Sequence, residues 1–197
     1  MISLSHFPVV ARIWVILCWC AWLLLFRGHQ KPAKEASVRR APASRTGIAL
    51  QAVSFAVLFA PRWAGFAYPA LPGPLMWVSC ILVMLVATAS VWMVAAARRV
   101  LGKQWSYEAR LVEGHQLVVA GPYSHVRHPI YTAMLGMLLA TGLAFSVWWG
   151  LLAALVIHAA GTAIRIHAEE RLLREVFGDD FEAYRRYVPA VIPRWKT

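Results

Sequence analysis

Five long apolar stretches divide this chain of 197 residues, and they constrain its fold more than any other feature. They cover Val9–Phe26, a second stretch that begins at Ile48 and is broken near Pro61, Leu75–Ala97, Ile130–Phe145 and Val147–Ile164. A helix that crosses a bilayer needs about 20 apolar residues. The third stretch fits this length well, and the first and fifth are adequate. The second and fourth are short, which favours tilted, kinked or internally packed helices. We predict an all-α fold, a polytopic membrane helical bundle of five transmembrane helices with short cytoplasmic C-terminal helices.

The composition supports a membrane protein. Hydrophobic residues make up 60% of the chain and charged residues only 15%, whereas about 45–50% and about 25% are usual in soluble domains. A soluble fold of this size could not bury so much apolar surface. A cytosolic globular enzyme, a disordered regulator and a disulfide-stapled secreted module are therefore excluded. The first stretch has no basic segment before it and no small-residue cleavage site after it, so we expect a retained anchor.

The basic residues predict the orientation in the membrane. Of the 20 Lys and Arg residues, 18 fall in the three segments Arg27–Arg45, Arg98–Arg127 and Arg165–Lys196. Five spans with the N-terminus outside and the C-terminus cytoplasmic place all three segments in the cytoplasm, as the positive-inside rule requires. The net charge of +11 then suggests contact with anionic membrane lipids rather than nucleic acid. We expect an integral membrane protein, in the cell inner membrane if it is bacterial.

The chain divides into two regions. Residues 1–100 hold the first three spans and a basic cytoplasmic loop at 27–47, and residues 101–197 hold the polar residues that suit chemistry. The fourth and fifth stretches are separated by almost nothing around Ser146, so they should form a tight helical hairpin over 130–164. That hairpin brings the segment before Ile130 close to the segment after Ile164. In the cytoplasmic tail, Gly178 is a natural helix stop.

The densest group of polar and aromatic residues covers 121–131 and reads GPYSHVRHPIY. Its first two residues, glycine and proline, signal a turn. Pro129 suits the first position of a helix, where its missing N–H has no partner to lose. We therefore predict that the fourth span begins there. The positive end of its dipole then lies at the membrane surface beside Arg127, His128 and Tyr131, a place suited to a carboxylate.

A second polar group follows the fifth span. It contains Arg165, His167, Glu169 and Glu170, and the hairpin should bring it next to the first group. A cationic and aromatic rim then faces a pair of carboxylates. This combination suits a zwitterionic ligand that has a cationic centre, ribose hydroxyls and a carboxylate.

Three groups of residues carry a family resemblance. They are His115-Gln116-Leu117-Val118; Gly121-Pro122-Tyr123 with Arg127-His128-Pro129 and Tyr131; and Glu169-Glu170-Arg171-Leu172-Leu173 followed by Phe177-Gly178, Tyr184, Val188-Pro189 and Pro193. In this order and spacing they resemble the isoprenylcysteine carboxyl methyltransferase and phospholipid methyltransferase families. The resemblance implies S-adenosylmethionine as cofactor at the cytoplasmic face. It also implies a lipophilic small-molecule or prenylated substrate that enters sideways between helices.

The same resemblance implies roles for individual residues. Cofactor binding carries over to His115, Leu117, Val118, Tyr123, His128, Tyr131, Glu169 and Glu170. Catalytic roles carry over to Arg127 and Arg165, which would orient the ligand or an anionic acceptor, and to Glu170. A carboxylate or thiolate acceptor needs no general base, whereas an amine acceptor would pass its proton to Glu169, Glu170 or His128. The chain departs from the family at Ala133, where glycine is frequent.

Other interpretations stay open. A membrane reductase of the sterol-reductase type resembles this C-terminal region but uses NADPH, and a non-catalytic membrane assembly protein would keep the fold alone. No metal site is predicted from His115, His125 and His128, because no cysteine or nearby carboxylate completes the set. Arg185 and Arg186 are assigned to the surface.

Overall fold

The computed structural model describes residues 7–27, 37–40, 43–65, 73–102, 110–112 and 116–193. Its elements are α1 (Phe7–Phe26), β1 (Ser37–Arg40), α2 (Ala43–Val57), α3 (Ala60–Trp63), α4 (Gly73–Leu101), β2 (Arg110–Val112), a 3-10 turn (Gly121–Ser124), α5 (Pro129–Phe145) and α6 (Trp148–Tyr187). The architecture is all-α apart from the short antiparallel pair β1–β2, which joins two segments that the sequence pattern leaves as loops.

Within the described ranges, three helices are long and apolar enough to cross a membrane: α1, α4 and α6. Helix α5 is equally apolar but has 17 residues. The second predicted span is divided into α2 and α3 by a turn at Leu58 and Phe59. Pro61 lies in the first turn of α3, where the proline ring is tolerated but cannot continue the hydrogen bonding of α2. The chain is an integral membrane protein with at least these three long apolar helices.

The helices pack in two groups. Helix α1 and helix α5 pack against α4, and their shared core includes the fully buried Val15, Ala87, Val94 and Met137. Helix α2 packs along α6. Leu138 of α5 joins the second core beside Ala154 of α6. Thus each half of the α5–α6 hairpin is supported by a different helix from the N-terminal region.

The predicted hairpin is confirmed. Helix α5 ends at Phe145, and α6 begins at Trp148, directly after the two connecting residues Ser146 and Val147. The backbone N–H of Ser146 donates to the Gly142 carbonyl at 2.9 Å, which closes the last turn of α5. The start of α5 and the middle of α6 therefore lie side by side.

The prediction of separate short tail helices is wrong in part. Helix α6 does not stop at the end of the fifth apolar stretch but runs on to a break at Gly178, and a last short helical segment ends at Tyr187. The segment after Ile164 is rich in Glu and Arg, which are strong helix formers, so nothing interrupts the helix at the membrane boundary. The predicted break at Gly178 is confirmed, because this residue has φ 48° and ψ −120° inside α6. Glu169 and Glu170 are thus carried by the same helix that forms the fifth span.

Candidate functional site

The candidate site lies where α5 begins. Pro129 is the first residue of α5 and His128 precedes it as the N-cap. The backbone N–H groups of Arg127 and His128 donate to the carbonyls of Pro189 and Ala190, at 2.8 and 2.9 Å. The amides that precede the helix are therefore bonded to the chain's own tail.

The two predicted polar groups meet at this point. Arg127 donates Nε and Nη2 to Oε1 of Glu170, at 2.9 and 2.7 Å. The ring of His128 lies between the two carboxylates, with Nε2 at 3.2 Å from Glu170 and Nδ1 at 3.4 Å from Glu169. His128 and Glu170 are buried, with only 6% of each residue exposed. The hairpin thus assembles the site as the sequence predicts.

Glu169 has a different surrounding from Glu170. The Tyr131 hydroxyl donates to Oε1 of Glu169, and Arg165 Nη2 lies 3.7 Å from the same oxygen. The Arg165 guanidinium sits 4.8 Å above the Tyr131 ring, and the His128 ring stacks on the same tyrosine at 5.4 Å. The Glu169 side chain is 26% exposed, whereas that of Glu170 is 7% exposed. Glu169 is therefore the carboxylate of the pair that a ligand can reach.

These contacts shift the pKa values of His128, Glu169 and Glu170. Burial alone would lower the pKa of His128, but hydrogen bonds and charge from Glu169 and Glu170 raise it above its ordinary value of 6.5. Burial raises the pKa of Glu170, yet the hydrogen bonds from His128 and Arg127 outweigh burial and lower it to about 2. The pKa of Glu169 is also lowered, against burial, chiefly by His128. Since both ring nitrogens face carboxylates, these contacts favour the protonated form of His128.

The tail is fastened over the site by contacts that the sequence analysis missed. Arg127 Nη1 donates to the carbonyls of Arg185, at 3.2 Å, and Val188. The Tyr184 hydroxyl donates to the Tyr123 carbonyl at 2.6 Å. Arg185 was assigned to the surface, and its side chain is 45% exposed, yet its Nε lies 3.4 Å from Glu170. The sequence around Arg185 carries no local signal of this contact.

Most of the predicted site residues lie together. Those in the cluster are Tyr123, Arg127, His128, Tyr131, Arg165, Glu169 and Glu170. Leu117 and Val118 are half-buried in the extended segment that leads to the 3-10 turn. His115 lies outside the described residues. In the part of the chain that the structure covers, no three His, Cys, Asp or Glu side chains are grouped to hold a metal.

The structure is therefore that of a membrane protein, an apolar helical bundle with a charged cluster at the base of one hairpin. The chain belongs to the phospholipid methyltransferase family, whose sequence profile matches residues 76–180, more than half of the chain. This range includes the polar group at residues 121–131 and the glutamates Glu169 and Glu170.

Two relatives each match about two fifths of this chain. The protein-S-isoprenylcysteine O-methyltransferase of Schizosaccharomyces pombe is 35% identical over 79 residues, which are 40% of this chain and 34% of the relative. The uncharacterized protein YpbQ of Bacillus subtilis is 29% identical over 75 residues, 38% of this chain and 45% of the relative. The chain thus spans less than half the length of either relative.

Proposed function

We propose that this protein is an S-adenosylmethionine-dependent methyltransferase that acts on a lipophilic acceptor at the cytoplasmic face of the membrane. The observation that carries the proposal is the bridge that His128 forms between Glu169 and Glu170, which joins the two polar groups of the sequence in one site. The family membership supports methyl transfer. The name of the Schizosaccharomyces pombe relative supports an oxygen acceptor on a prenylated cysteine.

The donor set of the cluster fits S-adenosylmethionine. Glu169 offers a partly exposed carboxylate that can accept from ribose hydroxyls or from an ammonium group. Arg165 offers a guanidinium for a carboxylate. Leu117 and Val118 offer apolar surface for a purine ring. When bound, the cofactor supplies a methyl group for in-line displacement, and this chain's residues orient it and exclude water around it.

The residues of the cluster divide into two roles under this proposal. Glu170 is saturated by Arg127, His128 and Arg185, so it holds the two halves of the site together. The Arg127 guanidinium donates to Glu170 and to tail carbonyls, which makes it a positioning residue. Glu169 and Arg165 are left as the charged groups that face a ligand.

The charge state favours an acceptor that needs no deprotonation. A lipid amine is protonated at neutral pH and would need a base before it could accept a methyl group. The carboxylates have lowered pKa values, which makes them weak bases, and His128 already has both ring nitrogens directed at them. The contacts within the cluster therefore compete with proton uptake from an amine. A carboxylate or thiolate on a prenyl-like chain is therefore the acceptor class that fits.

The membrane arrangement completes the proposal. The α2–α3 unit and the 17-residue α5 would join the three long helices to give five spans, with the N-terminus outside and the C-terminus in the cytoplasm. The catalytic region of residues 101–197 then supplies the charged cluster at the inner leaflet. A lipophilic acceptor reaches it from the bilayer between helices.

Transfer of label from the cofactor tests the proposal. Membranes that contain the protein are incubated with methyl-labelled S-adenosylmethionine and a prenyl-cysteine, and the lipids and thiols are analysed by mass spectrometry. We expect base-labile label in a prenyl-cysteine methyl ester, and its loss in the Glu169→Gln variant. Label found only in lipid amines would contradict the acceptor class, and no enzyme-dependent label would contradict methyl transfer.

A further inference from the structure

The candidate site has a contact from α2, which lies outside the segment that matches the family profile. Gln51 is 2% exposed, and its Oε1 accepts a hydrogen bond from Arg165 Nη1 at 3.1 Å. Its Nε2 donates to the Thr162 hydroxyl at 2.9 Å. Because the two ends of the amide have different partners, its orientation is fixed, with the oxygen towards Arg165.

Two facing glycines allow α2 to come this close to α6. A Cβ built on Gly161 would lie 2.8 Å from the Gly47 carbonyl oxygen and 2.9 Å from Leu50 Cβ. A Cβ on Gly47 would lie 2.4 Å from Arg165 Cγ. Small residues at such a crossing let the two backbones touch, as is common between membrane helices. The contact between Gln51 and Arg165 is thus built into the packing of α2 on α6.

Arg165 also faces the ligand side of the site. Its guanidinium carbon lies 4.8 Å above the Tyr131 ring, and its Nη2 lies 3.7 Å from Glu169. An arginine side chain has many rotamers, so a fixed guanidinium needs a partner that restricts it. Gln51 holds Nη1, which leaves Nη2 directed towards Glu169.

We propose that Gln51 is a positioning residue, which holds Arg165 over Tyr131 and towards Glu169 so that α2 completes the cofactor site. This inference rests on the proposed function. It gives the N-terminal region a part in ligand binding besides membrane anchoring. The residue acts through Arg165 and makes no contact with the reacting atoms.

A pair of substitutions on α2 tests this role. Gln51→Leu removes the oxygen acceptor at similar volume, whereas Ser54→Ala removes a buried hydroxyl three residues further on, which contacts His158 and the backbone carbonyl of Gln51 but neither the Gln51 amide nor Arg165. The affinity for S-adenosylhomocysteine is measured by calorimetry in detergent, together with the unfolding temperature. We expect Gln51→Leu to weaken binding about tenfold, because a hydrogen bond to a charged group is lost. Ser54→Ala should bind like the wild type.

A double-substitution cycle separates positioning from general stability. In an Arg165→Gln background, Gln51→Leu should have no further effect on affinity, since the group it positions is absent. Gln51→Glu keeps an oxygen acceptor for Arg165 and should retain binding near that of the wild type. Additive losses in the cycle, or equal affinity of Gln51→Leu and wild type, would overturn the positioning role of Gln51 and leave the proposed function standing. Wild-type protein that does not bind S-adenosylhomocysteine would instead overturn the proposed function.

Discussion

Arg127 and Glu170 are 43 residues apart in the chain, yet Arg127 donates two hydrogen bonds to one oxygen of Glu170, at 2.9 and 2.7 Å. Their side chains are 9% and 7% exposed. Arg127 directs its remaining donors to carbonyls of the tail. This pair therefore joins the start of α5, the middle of α6 and the tail in one place, and it is the main fixed point of the site.

Removing the Glu170 carboxylate should lower the stability of the protein. Glu170→Ala leaves Arg127 as a buried cation without its anion and removes one of the two carboxylates that face His128, and the loss of one partner of a buried pair costs about 3–5 kcal/mol. We expect a clear fall in the unfolding temperature in detergent. The control is Glu175→Ala, because Glu175 pairs with Arg171, whose side chain is 81% exposed. Equal unfolding temperatures for both variants would contradict a structural role for the pair.

The stability should depend on pH in two steps. The lowered pKa of Glu170 means that its contribution is present above its ordinary value of 4.5 and is lost as pH falls towards about 2. The raised pKa of His128 means the opposite: its contribution is present below 6.5 and is lost as pH rises through the raised value. The unfolding temperature should therefore be highest between these limits.

Two histidine variants test the alkaline step. His128→Asn should remove the fall at high pH, because the titrating bridge is gone. The exposed His167, which contacts the Ala163 carbonyl, gives the control His167→Asn, which should keep that fall. An alkaline fall that persists in His128→Asn would show that another group causes it.

The tail should loosen when its hydroxyl contact is removed. Tyr184→Phe deletes the donor to the Tyr123 carbonyl, which lies at 2.6 Å, and a hydrogen bond of this kind contributes about 1 kcal/mol. We expect faster hydrogen exchange in the tail after Tyr184. Tyr187→Phe, at a residue that is 77% exposed, should leave exchange unchanged. Similar exchange in both variants would argue against the Tyr184 contact.

The contact between Gly47 of α2 and Gly161 of α6 should tolerate no side chain. Gly161→Ala places a Cβ 2.8 Å from the Gly47 carbonyl oxygen, so the two backbones must separate. Gly73→Ala at the start of α4 meets nothing within 4 Å. We expect a lower unfolding temperature for the first variant and an unchanged or higher one for the second, since alanine favours a helix. A Gly161→Ala variant as stable as wild type would contradict the close approach.

Much of this site follows from local sequence signals. The two-residue connection at Ser146 and Val147 requires a hairpin, and Pro129 sets where α5 begins. Together they bring Arg127 and His128 to Glu169 and Glu170. These relations need only the lengths of two helices and one tight turn, so the sequence alone predicts them.

The remaining contacts have no local signature. The bonds from Arg127 and His128 to the Pro189 and Ala190 carbonyls are made by backbone groups, which every residue type carries. The Gln51–Arg165 contact depends on how α2 packs on α6, and residue spacing within either helix does not fix that. The sequence predicts separate helices after Ile164 because the chain changes there from apolar to charged. Its helix propensity does not change at that point, so α6 continues.

Direct titration of the purified protein with S-adenosylhomocysteine tests the central claim, with NADPH as the contrasting ligand. We expect saturable binding of S-adenosylhomocysteine and none of NADPH. Binding should weaken about tenfold in Glu169→Gln, which loses a charge-assisted contact, and should persist in the control Glu175→Gln. Folded, monodisperse protein that binds NADPH, or that shows no saturable binding of S-adenosylhomocysteine, would contradict the account.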